Sequence, residues 1–452
     1  MGLTDFLRRV RDWLTGGASA TASGLPRLSH DAAPRLTPVV PMAMPSASIG
    51  SSVVQRDDSK SRRARIHAAF DTGMPVETRA GLAGRSVELD RLVEAVIEHG
   101  KHGIVFGARG SGKTSLSRVF GDVADEQGAI VLYNLASGDL SFSDLYRPYL
   151  TELFTIPGGT LRQGDIAPLL DAPFDARHLA SLLAERMRRP LILVLDEFDR
   201  VVSAATKAEV AALMKLLTDM RATTRVVAVG IAANVEDLIE GHPSLRRHMV
   251  SVPVAGIGVD PLKQLLIRCC EQAGLTIHDN AASQIAAAAI GSPYHLRLFG
   301  LNCALAADRA GVSVIDAAIV RQGLTNAFVE WRTLSVSTAD LLIRCASLGA
   351  GPRFATALIA YAAAMRTRID RTEIETLGAE DGSVSSADFD MAFAALAPIL
   401  TASALHDQYL FEDALAPQFY LLLQGGKIDL QSSERGLRGD LRNLLDQGAR
   451  PE

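Results

Sequence analysis

Five short runs of apolar residues constrain the fold of this chain more than any other feature. They lie at residues 103–106, 129–135, 191–195, 225–231 and 249–254. The runs are continuous, whereas a strand with one wet face would alternate apolar and polar residues, so we expect strands buried on both faces. Segments of helical character separate the runs. The sequence therefore predicts an α/β fold in which a parallel sheet lies between layers of helices.

Beyond residue 259 the strand signal stops. Helical character is found at residues 259–274, 280–290, 293–310 and 314–330, with glycine or proline between most of these segments. Residues 335–424 continue with helices and end in a strand pair around ILTASALHDQYLFED. We therefore expect a helical region after the α/β core.

The composition narrows the class of protein. The chain has 452 residues, of which 48% are hydrophobic and 21% are charged, as in soluble globular proteins of two or three domains. Its net charge of −5 excludes a surface built throughout for nucleic acid, although one basic patch is compatible with it. No apolar run approaches the roughly 18 residues of a membrane span. None of the four cysteines forms a CxxC pair, so we expect reduced thiols and a cytoplasmic protein.

The N-terminal segment reads differently from the rest. Residues 1–15 place apolar side chains on one face of a predicted amphipathic helix. Residues 16–79 are rich in alanine, serine and proline, and we expect a disordered linker there. The helix could dock on a protein partner, on its own chain or on a membrane, and its two acidic residues among three arginines favour a protein.

The segment GARGSGKT, residues 107–114, follows the first apolar run and precedes a helix. This is the pattern and the context of a phosphate-binding loop, in which glycines let backbone amides approach phosphate oxygens. Lys113 would reach the β- and γ-phosphates, and Thr114 would offer a hydroxyl to Mg²⁺. The predicted nucleotide-binding residues of the loop are Gly107, Ala108, Arg109, Gly110, Ser111, Gly112, Lys113, Thr114 and Ser115.

The segment LILVLDEFDR, residues 191–200, supplies a second group of polar side chains. Asp196 ends a buried strand, at the sheet edge where ligands bind in open α/β folds, and is predicted to hold Mg²⁺. Glu197 would activate the attacking water, unless the pair of acids merely caps a helix. Asn234 follows the next apolar run and would orient that water, cap the next helix, or do both. No NKxD-type motif for guanine is visible, which favours ATP.

These residues resemble the AAA+ ATPases, and within them the initiator-type branch related to origin-recognition proteins, over roughly residues 80–425. The resemblance also rests on LAGRSVELDRL (82–92), DEFD (196–199), Asn234, GHPSLRRH (241–248) and GSPYHLRLFG (291–300). It implies that Gly84 and Arg85 line an adenine pocket and that Asn234 is a sensor of the γ-phosphate. It also implies that Arg247, with Arg246 as its rival, is an arginine finger acting on a neighbouring subunit, and that Arg297 is the lid sensor. The alternatives are a surface salt bridge for Arg247 and a solvated helix arginine for Arg297.

The resemblance divides the chain further. It implies an ATPase core at 80–257, a helical lid at 258–330, a winged-helix-like domain at 331–425 and a tail at 426–452. Winged helices often bind DNA, but residues 331–425 carry six arginines and no lysine against eleven acidic residues. A DNA-binding domain needs a cluster of cations that neutralise phosphates. We therefore expect this domain to face a partner or to be structural, with Arg366, Arg368 and Arg371 as its only basic group.

Together these features predict an ATPase that uses Mg²⁺ and switches its conformation on a protein partner, in a homo-oligomer. The alternative is an ATP-dependent DNA-binding initiator or loader. A third interpretation is a scaffold that binds ATP without hydrolysing it.

Overall fold

The computed structural model describes residues 61–73, 79–156, 161–230, 243–366, 368–380, 384–402 and 407–428. The predicted helix at 1–15 and the predicted sensor Asn234 lie outside these ranges.

The core contains these elements: α1 (61–69), α2 (Ser86–Val93, continued by a π-helical turn at Glu94–Glu98), β1 (His102–Gly107), α3 (Lys113–Glu126), β2 (Ile130–Leu135), α4 (Phe142–Thr155), α5 (Gln163–Asp171), α6 (Ala176–Arg186), β3 (Leu191–Asp196), α7 (Ala204–Asp219), β4 (Thr224–Gly230) and β5 (Met249–Val254). The elements that follow are α8 (Val259–Gln272), β6 (Thr276–Ile277), α9 (Asp279–Ala288), α10 (Pro293–Arg309), β7 (Val314–Ile315), α11 (Ala317–Leu334), α12 (Val336–Ala346), α13 (Ala350–Arg366), β8 (Ile369–Asp370), α14 (Arg371–Glu380), α15 (Ser386–Leu396), β9 (Leu400–Ala402), β10 (Gln408–Phe411) and α16 (Ala416–Gln424).

The five predicted strands form one parallel sheet in the order β2-β3-β4-β1-β5. Because all five strands run the same way, their carboxyl ends meet at one edge of the sheet. That edge carries the loop after β1 and the acidic pair after β3. The predicted fold class, a parallel sheet between helices, is confirmed.

The apolar runs are continuous because helices cover the sheet on both sides. Along β3, Leu193 and Leu195 pack into one hydrophobic core, while Ile192 and Val194 pack into another on the opposite face. All four side chains are buried. A strand in this position has no wet face, so it needs no polar alternation.

The helical region after β5 has a core of its own. One continuous hydrophobic cluster runs from α8 to α16, so the helices predicted as lid and those beyond residue 331 share a single interior. At its centre the ring of Phe419 stacks on Trp331, with centroids 4.7 Å apart, and lies 5.9 Å from Phe299. The helix α11 runs through the predicted boundary between residues 330 and 331. Tight packing therefore joins the two predicted domains.

Short strands within this helical region form additional small sheets. The strand pair predicted near ILTASALHDQYLFED forms, as antiparallel β9 and β10, and β8 joins it in the order β8-β10-β9. A parallel pairing of β6 with β7 was not predicted, because each strand has only two residues and gives no periodic signal. The winged-helix assignment of residues 331–425 remains a prediction.

The prediction of a linker over residues 16–79 is wrong for its last part. Residues 61–69 form the helix α1, and Ile66 and Phe70 are completely buried in the core of the helical region. The side chain of Arg62 pairs with Asp308 at 3.3 Å. The apolar residues at i and i+4 in this short stretch are the signal that the alanine-rich composition obscured.

The cysteines behave as predicted. All four (Cys269, Cys270, Cys303 and Cys345) are free and buried, and burial raises the pKa of each thiol, that of Cys270 to about 12. Among the helices of the described ranges, none combines the length and the apolar character needed to cross a membrane.

The close approach of α10 and α11 gives a test of this packing. A Cβ added at Gly323 would lie 2.5 Å from the Cα atom of Cys303, so Gly323→Ala should lower the free energy of unfolding by about 1–3 kcal/mol. In the helix α5, Gly164 has nothing within 4 Å of such a Cβ, and Gly164→Ala should leave stability unchanged or raise it by about 0.5–1 kcal/mol. Urea unfolding measures both, and equal effects of the two substitutions would contradict this packing.

Candidate functional site

The glycines of the loop after β1 are required by its conformation. Gly110 and Gly112 have φ angles of 76° and 91°, in the left-handed region that side chains rarely adopt. A Cβ at Gly107 would overlap the carbonyl oxygen of Val254 on the neighbouring strand β5. The loop therefore passes close to its surroundings, and the helix α3 begins directly after it at Lys113. Its backbone amides and the helix N-terminus together form an anion-binding geometry.

The ammonium group of Lys113 is held by its own loop. Nζ donates to the carbonyl oxygens of Gly107 at 3.0 Å and Ala108 at 2.9 Å. Burial lowers the pKa of Lys113, while the carboxylates of Asp199 and Asp196 oppose that shift. A largely buried cation at this position is poorly hydrated, so it would bind an anion strongly.

The acidic pair lies at the carboxyl end of β3. Asp196 is buried, and its Oδ1 accepts a hydrogen bond from the backbone N–H of Glu197 at 2.8 Å. Glu197 has a left-handed backbone, with φ 53° and ψ 34°, which is uncommon for a residue with a side chain. Its side chain makes no capping hydrogen bond to the short 3-10 helix that follows, so helix capping does not explain the pair.

The carboxylate of Glu197 has a partner outside the predicted set. Its Oε2 lies 2.8 Å from Nε of Arg200, and about half of each side chain is exposed. The ion pair is local, three residues apart, and exposed pairs of this kind are worth only about 0–1 kcal/mol. Glu197 can therefore leave Arg200 at little cost.

Arg85 holds the loop through hydrogen bonds to backbone carbonyl oxygens. It is buried, and it donates to the carbonyl oxygens of Ser111, at 3.0 Å, and of Ala255. It also pairs with Glu88 at 2.8 Å, and burial lowers its pKa. Gly84, with φ 63°, makes the turn that brings Arg85 there. Arg85 thus ties the start of the core to the loop and to the end of β5.

The helix α10 meets the same loop. Ser292 caps this helix by accepting from the N–H of His295 at 3.3 Å, and its hydroxyl donates to the carbonyl oxygen of Gly110 at 3.1 Å. The imidazole of His295 is buried, which lowers its pKa to about 3 and keeps the ring neutral. One turn along the helix, Arg297 donates from Nη1 to the carbonyl oxygen of Asp71 at 3.0 Å.

Most of the loop, the acidic pair, Arg85 and Arg297 border one cavity of about 610 Å³. The loop after β1, the carboxyl ends of β3 and β4, and the start of α10 form its polar side. Residues 71–73 and the side chains of Leu410, Phe411 and Pro417 complete its walls. A cavity of this size, with polar groups at one end and apolar walls, suits a ligand of nucleotide size.

The structure brings most of the predicted residues to this cavity. The predicted residues that line it are Arg85, Ala108, Arg109, Gly110, Ser111, Gly112, Lys113, Thr114, Ser115, Asp196, Glu197 and Arg297. Gly107 and Gly84 are not among the residues that line it, although Gly107 begins the loop and Gly84 directly precedes Arg85. Asn234 lies outside the described residues.

The arginines predicted as finger candidates lie elsewhere. Arg246 and Arg247 are exposed on the 3-10 helix Pro243–His248, directly before β5. Met249 of β5 pairs with His102, the first residue of β1. Arg247 is therefore at the amino ends of the strands, one strand length or about 17 Å from Gly107 of the same chain.

Other residues of the cavity were not predicted. Asp199 and Arg200 follow the acidic pair, and the motif DEFDR contains both, although spacing alone does not show that Arg200 folds back on Glu197. Tyr294 precedes Arg297 by one turn and also lines the cavity. Residues 71–73 were predicted to be linker. The walls from α13 to α16 come from sequence-distant segments, so no local pattern could have indicated them.

The profile of the family described as Novel STAND NTPase 1 matches residues 76–307, just over half of the chain. No curated protein matches the sequence. The profile spans the loop after β1, the acidic pair and the start of α10, which form the polar side of the cavity. The predicted resemblance to the AAA+ P-loop ATPases is thereby confirmed at the level of the NTPase family and the fold.

Solved structures with a similar fold include a Walker-type ATPase of Pyrococcus abyssi, 18% identical with a TM-score of 0.48, over 78% of this chain and 99% of that chain. Cdc6p from Pyrobaculum aerophilum is 16% identical with a TM-score of 0.43, over 80% of this chain and 99% of its own. The ORC1 protein of Aeropyrum pernix, solved in complex with DNA, is 16% identical with a TM-score of 0.42, over 75% and 92%.

The left-handed backbone at position 197 can be tested by stability alone. Glu197→Gly should be more stable than Glu197→Ala by about 1 kcal/mol, because a left-handed conformation costs a residue with a Cβ roughly 1–2 kcal/mol. Both variants lose the ion pair with Arg200, so that loss cancels. At Glu330, within the right-handed helix α11, alanine should instead be better than glycine by about 1 kcal/mol. Urea midpoints report both orders, and glycine no better than alanine at 197 would refute the conformation.

Proposed function

The chain belongs to the Novel STAND NTPase 1 family, and on that premise we propose that it binds and hydrolyses ATP in the cavity above the loop 107–114. The observation that carries the proposal is the convergence of three features on one cavity. These are a lysine held by its own anion-binding loop, a buried aspartate at the end of β3, and a helix start that bonds to the loop. Together, the three features suit a charged, elongated ligand better than any one of them would alone.

The residues fit a magnesium nucleotide. Thr114 and Asp196 would hold Mg²⁺, since hydroxyl and carboxylate oxygens are the ligands this ion prefers. When bound, the ion neutralises charge on the phosphates. Lys113 would exchange the two loop carbonyls for phosphate oxygens. The apolar side chains of Leu82, Ala83 and Ile257, which lie beside Gly84 and Arg85, also line the cavity and suit the base better than the phosphates.

Glu197 is the proposed general base. In the described state its carboxylate is paired with Arg200, so it must leave that ion pair before it can take a proton from water. The pair is exposed and short-range, so this release costs little. We assign positioning roles to Asn234 and Arg297, and the role of the adenine pocket to the region around Gly84 and Arg85.

Hydrolysis is tested by Glu197→Gln. The wild type should turn over ATP with Mg²⁺, and the variant should lose at least about 100-fold in kcat while still binding ATP, because an amide cannot accept the proton. Glu185→Gln, exposed on α6 outside the cavity, is the matched control and should keep full activity. A coupled phosphate-release assay and equilibrium binding provide the two readouts. Binding with equally slow turnover in wild type and variant would favour the non-hydrolysing scaffold instead.

The arginine finger is proposed to act between subunits. Since Arg247 lies a strand length from the loop of its own chain, it would complete the site of a neighbour and make the active form a homo-oligomer. A finger of this kind contributes about 10³–10⁵ in kcat.

Mixing two inactive variants tests this arrangement. Arg247→Ala keeps Glu197 but offers no finger, and Glu197→Gln keeps the finger but lacks the base. Mixed, they should recover a substantial part of the ATPase activity, because the second variant serves the first. Arg246→Ala is the control. If Arg247 is the finger, Arg246→Ala should be active on its own, without mixing with Glu197→Gln. No recovery in the Arg247 mixture would refute action in trans.

The DNA-loading alternative draws no support from the C-terminal region. Its three clustered arginines all have polar partners from the same region, which leaves little charge for phosphates. The partners are Glu373 for Arg366, Gln408 for Arg368, and Glu375 with Asp390 for Arg371. We therefore favour a conformational switch on a protein partner. The N-terminal helix at 1–15 is the proposed docking element, and the buried free thiols suit a reducing compartment such as the cytoplasm.

A further inference from the structure

The segment before the core is built into the nucleotide cavity. Residues 61–73, which we call the N-terminal arm, consist of α1 and the turn after it. Asp71, Thr72 and Gly73 of the arm line the cavity. The turn is ordered by its own side chain, since Oδ1 of Asp71 accepts from the N–H of Gly73 at 2.7 Å.

The arm is anchored to the helix α10. Phe70 packs directly over Gly300, where a Cβ would come within 2.6 Å of the ring, so only glycine leaves room for it. Ile66 is buried in the same core. At the far end of the helix, Asp308 pairs with Arg62 at 3.3 Å and with Arg63 at 3.7 Å. These contacts fix the arm along the helix that carries Arg297.

Arg297 holds the last part of the arm. Its Nη1 donates to the carbonyl oxygen of Asp71 at 3.0 Å, and its Nε is buried with no hydrogen-bond partner among the described atoms. A guanidinium that serves a carbonyl oxygen with one donor would gain by moving to a phosphate, which offers charge and several acceptors. Arg297 also borders the cavity, one turn from Pro293, whose ring lies 3.7 Å from the Cβ position of Gly112 in the phosphate loop.

We propose that the carbonyl oxygen of Asp71 and the γ-phosphate of ATP compete for Arg297, so that ATP releases the turn at 71–73 from the lid helix. This inference rests on the proposed function, and it concerns the regulation of the same site. ADP lacks the γ-phosphate and leaves the turn held. The nucleotide state thereby affects the chain that precedes residue 61, while Phe70 and Ile66 keep α1 packed in the core of the helical region.

Thiol labelling of the variant Thr72→Cys measures the release directly. The four native cysteines are buried with raised pKa values, so the new thiol reacts selectively. A non-hydrolysable ATP analogue with Mg²⁺ should speed labelling at least about tenfold, the factor that matches the loss of one hydrogen bond from a charged donor. ADP with Mg²⁺ should not change the rate. A cysteine at Glu330, exposed on α11, is the control probe and should be insensitive to nucleotide.

Variants of α10 separate the effect of the hydrogen bond from Arg297 to Asp71 from a general effect of removing an arginine from this helix. Arg297→Ala should label fast at position 72 without nucleotide and show no further response. Arg309→Ala, at the exposed end of the same helix, should behave like the wild type. A rate at position 72 that is the same in Arg297→Ala and in the wild type would overturn the anchor.

Equilibrium dialysis of the same samples distinguishes a failure of the competition for Arg297 from a failure of nucleotide binding. If the analogue binds and the labelling rate at position 72 stays constant or falls, the competition is wrong while nucleotide binding stands. If the analogue does not bind, the proposed function fails, and the competition fails with it.

Discussion

The hydrogen bonding of the Lys113 ammonium within its own loop is the interaction on which the rest of the site depends. The ammonium lies in a loop whose glycines adopt left-handed backbone and whose first glycine touches β5. Two backbone carbonyls hold it, and the carboxylates of Asp196 and Asp199 oppose the fall in its pKa. This arrangement keeps a cation where solvation is poor, and an anion with several oxygens can replace the carbonyls at a gain. The parallel sheet fixes this arrangement, because the loop follows β1 and the carboxylates follow β3 at the same edge of the sheet.

The cavity around this cation joins parts of the chain that are far apart in sequence. The core meets the helical region at Gly256 and Gly291, where a Cβ on Gly291 would lie only 2.8 Å from the Cα atom of Gly256. The N–H of Ile257 donates to the carbonyl oxygen of Gly291 at 2.8 Å across the same joint. Because this joint is tightly packed, a ligand that displaced the loop would also displace α10. A ligand that fills the cavity would touch the core, α10, the arm and the C-terminal walls together.

Local patterns in the sequence predicted the parts that local physics determines. The five strands follow from apolar runs with no wet face, and the shape of the loop 107–114 follows from glycine spacing between a strand and a helix. The buried position of Asp196 follows from the run that ends at it. Contacts between distant segments were beyond such patterns. The pairing of Glu197 with Arg200 depends on a left-handed residue, and the burial of Phe70 depends on Gly300, which is far away in the sequence. The shared core of the lid and the C-terminal region likewise arises only in three dimensions.

The most direct measurement is the calorimetric titration of Mg–ATP into the wild type, Lys113→Met and Lys215→Met. The last substitution removes an exposed lysine on α7 and controls for the loss of one positive charge. We expect wild type and Lys215→Met to bind with the same affinity, whereas Lys113→Met should lose at least about tenfold, the cost of one hydrogen bond from a charged donor to phosphate. Equal affinity of Lys113→Met and the wild type would contradict the claim that this loop holds the phosphates.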